Sequence, residues 1–190
     1  KAELLMANTV NGNSEVIITD TDPAWVEVTH DISFLKTKDQ IIFSSEKSGY
    51  RHAYLYDYNG ILVHQITKGD WEIVEISGSD EKNNILYFYG KMESPLEQHV
   101  YKINFDGSGL KKISHNNGWH EPTFSPMYNY YLDEYSSSTN PPATILLSTS
   151  GKSIRKVNDG KIPTLEKYAV NYPEFLMVKA LEETESQPPI

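Results

Sequence analysis

No cysteine occurs in the 190 residues. Disulfide staples, thiolate nucleophiles and cysteine-ligated zinc are therefore excluded. Positive charge is scarce: 17 Lys and Arg stand against 26 Asp and Glu, a formal net charge of -9. With no basic cluster to offset it, the chain lacks the electrostatic footprint of nucleic-acid binding. Long hydrophobic runs are missing too; none approaches the roughly 20 apolar residues of a membrane-spanning helix. The first residues show no signal peptide. The chain begins on Lys1 and enters at once on Leu4-Leu5-Met6, which reads as a trimmed start. None of these absences fixes a compartment.

What is present is a strand-forming, globular composition. Hydrophobic residues make up 38% and charged residues 23%, enough for a core and too apolar for a disordered chain. The length suits one ordinary domain or a fragment of a larger one. Aromatics reach 12%, with 13 tyrosines, a bias that favours pleated surfaces.

The middle of the chain reads as short strands separated by turns. Ile41–Ser45 is followed by Ala53–Tyr58, with Tyr54, Tyr56 and Tyr58 on one face, then Asn59-Gly60 as a type I′ hairpin signal, then Ile61–Ile66. The order recurs in Ile85–Tyr89, Val100–Phe105, the turn Asp106-Gly107 and Leu110–Ile113. A blurrier third copy runs through Tyr130–Glu134, Thr144–Ser148, Ser150-Gly151 and Ile154–Val157. Ile66 to Ile113 is 47 residues and Ile113 to Val157 is 44, and Trp71 and Trp119 follow the strand ends in similar places. A period near 45 with about four short strands is what a β-propeller blade requires. A β-sandwich with coincidental spacing is the competing architecture. The expected fold is thus all-β: a partial propeller of about three complete four-stranded antiparallel blades, with incomplete blades at both termini. Met6–Thr19 reads as an outer hairpin at one end, and Phe175–Lys179 as an unpartnered strand at the other. Leu165–Val170 has room for a turn or two of helix between Pro163 and Pro173.

Chemistry-bearing patterns are few. No Gly-x-Ser-x-Gly pentad occurs, and Ser108 sits in a hairpin turn whose glycines the turn itself explains. The six histidines include no His-Glu-x-x-His; His115 and His120 flank Asn116-Asn117-Gly118 and read as a polar loop, so no metal site and no cofactor is expected. Asp133 and Glu134 are strand neighbours, which face opposite sides and do not cooperate. Glu46, Arg51 and His52 surround the loop Lys47–Gly49; an ion pair or a carbonyl cap by Arg51, with His52 bonding inside the same turn, is a structural reading of that motif. No nucleophile, base and oxyanion donor can be assembled from it, so no catalytic residue is expected in this chain.

Several stretches taken together resemble the dipeptidyl peptidase IV family: Trp25-Val26, His30-Asp31, Ser45–His52 with its Gly-Tyr-Arg-His, Ile66–Glu72 with Trp71, and Ser94–Tyr101. The resemblance implies later blades of an eight-bladed propeller over residues 1–175, and at 176–190 the start of a linker toward an α/β-hydrolase domain beyond this chain. It implies a parent serine exopeptidase that releases dipeptides after a penultimate proline or alanine. The serine, aspartate and histidine of that chemistry would lie in the hydrolase domain, and the glutamate pair that holds the substrate amine on an earlier propeller segment. This chain would then shape and gate peptide access without performing chemistry. In animal members an arginine and an aromatic residue just after the Trp-Val line the substrate pocket. Here the stretch is Glu27–Asp31, which leaves His30 and Asp31 as the nearest candidates for cavity-facing groups. Bacterial members would favour a periplasmic or cell-envelope setting. The alternative is a stand-alone propeller that binds protein or glycan partners. Either way, an arc of blades leaves open end faces, through which self-association is expected.

Overall fold

The computed structural model describes residues 1–168, 170–176 and 178. A two-stranded hairpin opens the chain, β1 (Ala2–Ala7) with β2 (Ser14–Asp20). Three four-stranded antiparallel sheets follow in chain order. The first holds β3 (Ile32–Leu35), β4 (Gln40–Ser45), β5 (His52–Asp57) and β6 (Leu62–Gln65). The second holds β7 (Ile73–Asp80), β8 (Ile85–Gly90), β9 (His99–Asn104) and the two-residue β10 (Lys111–Lys112). The third holds β11 (Trp119–Phe124), β12 (Tyr130–Ser136), β13 (Ala143–Ser148) and β14 (Ser153–Asn158). Every sheet is a meander, so each strand pairs with its chain neighbour. The first strands of successive sheets, β3, β7 and β11, neighbour one another. This is the all-β arc of blades expected from the repeat.

Alternation along the strands explains the stacking. Ile41, Phe43, Tyr54 and Tyr56 face the opening hairpin and pack on Ile18. Ile42, Ala53 and Leu55, one residue out of phase, face the second sheet and meet Leu86, Phe88, Tyr101 and Ile103. The second sheet repeats the device: Tyr87 and Val100 turn to the third and pack with Tyr131, Ile145 and Leu147. Strands buried on both faces read as continuous apolar runs, and period-two patterning assigns each side chain to one seam. The third sheet has only one buried face. On its other side Tyr130 and Leu132 are exposed, and β14 is exposed along its whole length; Leu5 and Val16 are exposed on the hairpin.

Three local expectations are corrected. At Asn59-Gly60 positive φ is confined to Gly60 (78°), and Gly60 N–H donates to Asp57 O while Asp57 N–H donates to Ile61 O, both at 3.0 Å. That is a type I turn closed by a left-handed glycine bulge, not type I′. Gly107 and Gly151 close their turns in the same way. Gly60 also lies against the opening hairpin, where an added Cβ would fall 1.6 Å from the Ile17 carbonyl oxygen. Second, the two tryptophans are not equivalent. The N–H of Ile73 donates to Arg51 O and that of His120 to Gln98 O, so the repeat aligns Ile73 with His120 and Trp71 with Gly118. Trp71 is buried in a seam, whereas Trp119 opens β11 and is 40% exposed. Third, no strand forms at Phe175, Leu176 or Val178; Met177, Lys179 and most of the expected linker lie outside the described residues. Leu165–Lys167 makes a single 3-10 turn.

Candidate functional site

The junction of β3 and β7 gathers a group of polar side chains around an open cavity of about 510 Å³. The segment entering β3 is ordered by short-range bonds that its residue types dictate. Asp22 Oδ1 accepts from the N–H groups of Ala24 (2.8 Å) and Trp25 (3.2 Å), an Asx turn. Trp25 Nε1 donates to Glu27 Oε2 at 3.0 Å, and Thr29 Oγ1 accepts from Asp31 N–H at 3.0 Å. Asp31 then bridges two sheets: its Oδ2 accepts from Ser44 Oγ of β4 at 3.2 Å, and its Oδ1 from Ile76 N–H of β7 at 3.4 Å. Burial raises its pKa above the usual carboxylate value, against these two bonds, which favour the anion.

His30, Asp31 and Arg51 line this one cavity together with Glu27, Thr29 and Glu75. Arg51 forms its wall, with Nη2 donating to Glu46 Oε1 at 3.2 Å and Nη1 to Val74 O at 3.4 Å. Glu46 thus sits behind the guanidinium. Glu75 Oε2 accepts from Tyr89 Oη at 2.6 Å, and Tyr89 titrates well above the usual phenol through burial, that bond and the charges of Glu75, Glu121 and Asp31. One guanidinium among carboxylates offers donors to carbonyl oxygens and acceptors to an amine or amide N–H.

The other motif residues point elsewhere. His52 does not bond within the Lys47–Gly49 turn. It lies on β5, 1% exposed, with Nδ1 at 3.1 Å from Thr67 Oγ1 and Nε2 at 3.0 Å from Gly69 O. Its ring meets Trp71 edge-on at 5.0 Å, and Trp71 stacks on Phe88 at 5.8 Å. These two residues weld the first sheet to the second and never reach the cavity.

The model of the dipeptidyl peptidase IV N-terminal region matches residues 1–142. The chain belongs to the dipeptidyl peptidase IV family. A probable dipeptidyl-aminopeptidase B of Arthroderma benhamiae is 30% identical over 83% of this chain, which spans 20% of that relative. Dipeptidyl peptidase 4 of Trichophyton tonsurans is 26% identical over 93% of this chain and 24% of its own length. The crystal structure of Porphyromonas gingivalis dipeptidyl peptidase 4 superposes with a TM-score of 0.85 at 27% identity, covering 93% of this chain and 26% of that one. The chain therefore spans about a quarter or less of the relatives it matches. No helix among the described residues is long and apolar enough to cross a membrane.

Within this family member, two histidines outside the cavity invite a catalytic reading, and geometry decides against both. His99 has Ser114 Oγ on Nδ1 (3.2 Å) and Glu97 Oε2 on Nε2 (3.0 Å), a serine–histidine–carboxylate row. Yet Ser114 is 4% exposed and its oxygen accepts from Val100 N–H at 3.1 Å. The neighbouring sheet repeats the arrangement with His52, Thr67 and Ala53 N–H, so it is a device of the strand pair. A nucleophile must reach a substrate carbonyl, which a sealed hydroxyl cannot. His120 faces both oxygens of Asp133 through Nδ1 (3.0 and 2.8 Å), and its Nε2 donates to Asn116 O at 3.0 Å. Both nitrogens are occupied, so no acceptor site is left for a substrate proton. His120 is therefore a buried strand residue rather than part of a polar loop. Asp133 and Glu134 do face opposite sides, Asp133 inward and Glu134 outward.

Sequence reading overlooked Thr29, Ser44 and Glu75. Glu75 lies on β7, whose pairing with β8 shifts register between Ile73 and Glu75 and again between Ile76 and Gly78. Those bulges erase the alternation by which a strand is recognised.

Proposed function

We propose that this chain is the access-shaping part of a serine exopeptidase: it supplies one wall of the route by which a peptide reaches a catalytic domain, and performs no chemistry itself. The observation that carries this reading is the cavity at β3 and β7, where His30, Asp31, Arg51 and Glu75 present polar groups of both signs. The substrates are peptides with a penultimate proline or alanine, whose free amino terminus suits the carboxylates and whose carbonyl oxygens suit Arg51. The relatives named above are dipeptidyl peptidases, which supports the substrate class. A periplasmic or cell-envelope setting goes with the bacterial relative. Residues 176–190 would lead into the hydrolase domain, and the uncovered faces of the first hairpin and the last sheet would be covered by the rest of the ring, or by a second copy when the chain is alone.

The purified chain should not hydrolyse Gly-Pro or Ala-Pro reporters. Turnover that persists through purification to homogeneity would overturn the non-catalytic assignment. The stand-alone binding module is separated by the parent gene: a Gly-x-Ser-x-Gly pentad downstream of Ile190 supports the peptidase, and its absence supports the binding module.

A further inference from the structure

The blade repeat exposes an irregularity at His99. His52 and His99 are 47 residues apart and occupy equivalent places: each is buried on the strand that follows its loop, and each has a hydroxyl on Nδ1 that also accepts from the next N–H of the strand. In the first sheet Nε2 of His52 is capped by a main-chain carbonyl, Gly69 O. The carbonyl 47 residues further on, Asn116 O, is already taken by Nε2 of His120. His99 Nε2 therefore has no main-chain acceptor and faces two carboxylates instead, Glu97 Oε2 at 3.0 Å and Glu93 Oε2 at 3.8 Å.

We propose that Glu93, Glu97 and His99 form a binding site for one divalent transition-metal ion of the zinc or manganese class. Their ligand atoms lie within 4.8 Å of one another, so one ion reaches all three with small side-chain rotations. One imidazole nitrogen with two carboxylate oxygens suits these borderline ions better than calcium or magnesium, which take all-oxygen sets. The tautomer is available: with its proton on Nδ1, His99 donates to Ser114 Oγ, and Nε2 presents its lone pair to the ion. This is the carboxylate- or hydroxyl-backed histidine that metal sites use.

An independent observation points to the same spot. Tyr101 follows His99 on the same face of β9, 1% exposed, and its hydroxyl has no hydrogen-bond partner. The charges that bear on that hydroxyl are those of Glu93 and Glu97. A metal-bound water, or a carboxylate oxygen turned by coordination, gives it a partner. Lys112 Nζ pairs with Glu93 Oε2 at 2.7 Å and competes for the site, but its side chain is 32% exposed and can withdraw into solvent.

The test is calorimetric titration of the tag-free, chelator-treated chain with zinc chloride and, separately, manganese chloride. Circular dichroism verifies the fold of each variant. The expected result is one saturable equivalent of zinc or manganese, weakened about tenfold or more in Glu97→Gln and in Glu93→Gln. Lys112→Met should tighten it several-fold, since the competing ammonium is gone. Tyr101→Phe should weaken it less than either glutamate change. The glutamates are partly exposed, so their variants keep the fold even where His99→Gln does not. No saturable binding, or binding that both glutamate variants leave unchanged, would overturn the proposal. Loss of thermal stability in Lys112→Met without any metal binding would assign the cluster to a plain ion-pair network.

Discussion

Phe88 offers the sharpest probe of how the sheets hold together. It is fully buried in the seam between the first and second sheets, stacked on Trp71 at 5.8 Å and on Tyr101 at 5.5 Å. Phe88→Ala removes a buried ring and leaves a cavity, a loss of about 3–5 kcal/mol. Each stacked partner adds about 0.5–1.5 kcal/mol beyond area burial, which places the expected loss at the upper end, about 5 kcal/mol. A domain of this size has about 5–15 kcal/mol in total, so the variant stands at the edge of folding. Phe88→Leu, with an expected cost of about 1–2 kcal/mol, keeps the measurement on scale. Urea unfolding followed by tryptophan fluorescence reports on the seam directly, because Trp71 is part of it. Ile154→Ala on the exposed face of the last strand, β14, is the control, 47% exposed at the start, with an expected change within about 0.5 kcal/mol at low protein concentration. A larger cost for Ile154→Ala that grows with concentration would indicate that a second copy covers that face. Phe88→Ala costing under about 1 kcal/mol would refute the stacking of the first and second sheets as described.

Gly60→Ala should destabilise by well over 1 kcal/mol, because positive φ and the Ile17 carbonyl oppose the Cβ together; Gly12→Ala, with positive φ and open space, should cost less. A melting series that ranks them the other way would remove the contact between the hairpin and the first sheet. Burial depresses His52 and His99, so their contribution is fully present above about pH 6.5, the unfolded value, and is lost as pH falls below it through their folded values. Asp31, raised by burial, works in the opposite sense: its contribution is present below about pH 3.8 and lost as pH rises through its folded value. The two histidines should therefore lower the melting temperature between about pH 7 and 5, against the smaller opposing change at the single Asp31, and the fall should be smaller in a folded His99→Gln variant. An unchanged slope in that variant would show that His99 is not among the groups that titrate. Arg51→Ala should cost about 1 kcal/mol, since Glu46 is half exposed and the bond to Val74 O is long; a loss above about 3 kcal/mol would mean that Arg51 supports the β7 segment itself.

The blade repeat was legible because strands buried on both faces are rich in apolar residues, as in Ile41–Phe43 and Ala53–Tyr56, and because the β5–β6, β9–β10 and β13–β14 turns each close on a glycine. The first strands β3, β7 and β11 were not. They hold Ser33, Glu75, Gly78, Ser79, His120 and Pro122, polar or breaking residues on the strands that neighbour one another where the sheets converge. The candidate site suffered for the same reason. His30 and Asp31 were reached through the stretch after Trp25, but their partners Ser44 and Glu75 sit on other strands, 13 and 44 residues beyond Asp31. Long-range pairing of that kind leaves no local pattern. His52 shows the converse: its neighbours Glu46 and Arg51 in sequence are not its partners in space, because alternation turns it into the seam while Arg51 faces the cavity.

The central claim is that the cavity at β3 and β7 binds the peptide without taking part in the chemistry. The most direct test is steady-state kinetics of the full-length protein on a dipeptide-proline reporter, comparing Asp31→Asn and His30→Ala with the unaltered enzyme. The predicted result is a several-fold rise in KM with kcat little changed and the melting temperature held within about 2 °C. Unchanged KM in both variants, or a collapse of kcat at constant KM, would contradict it.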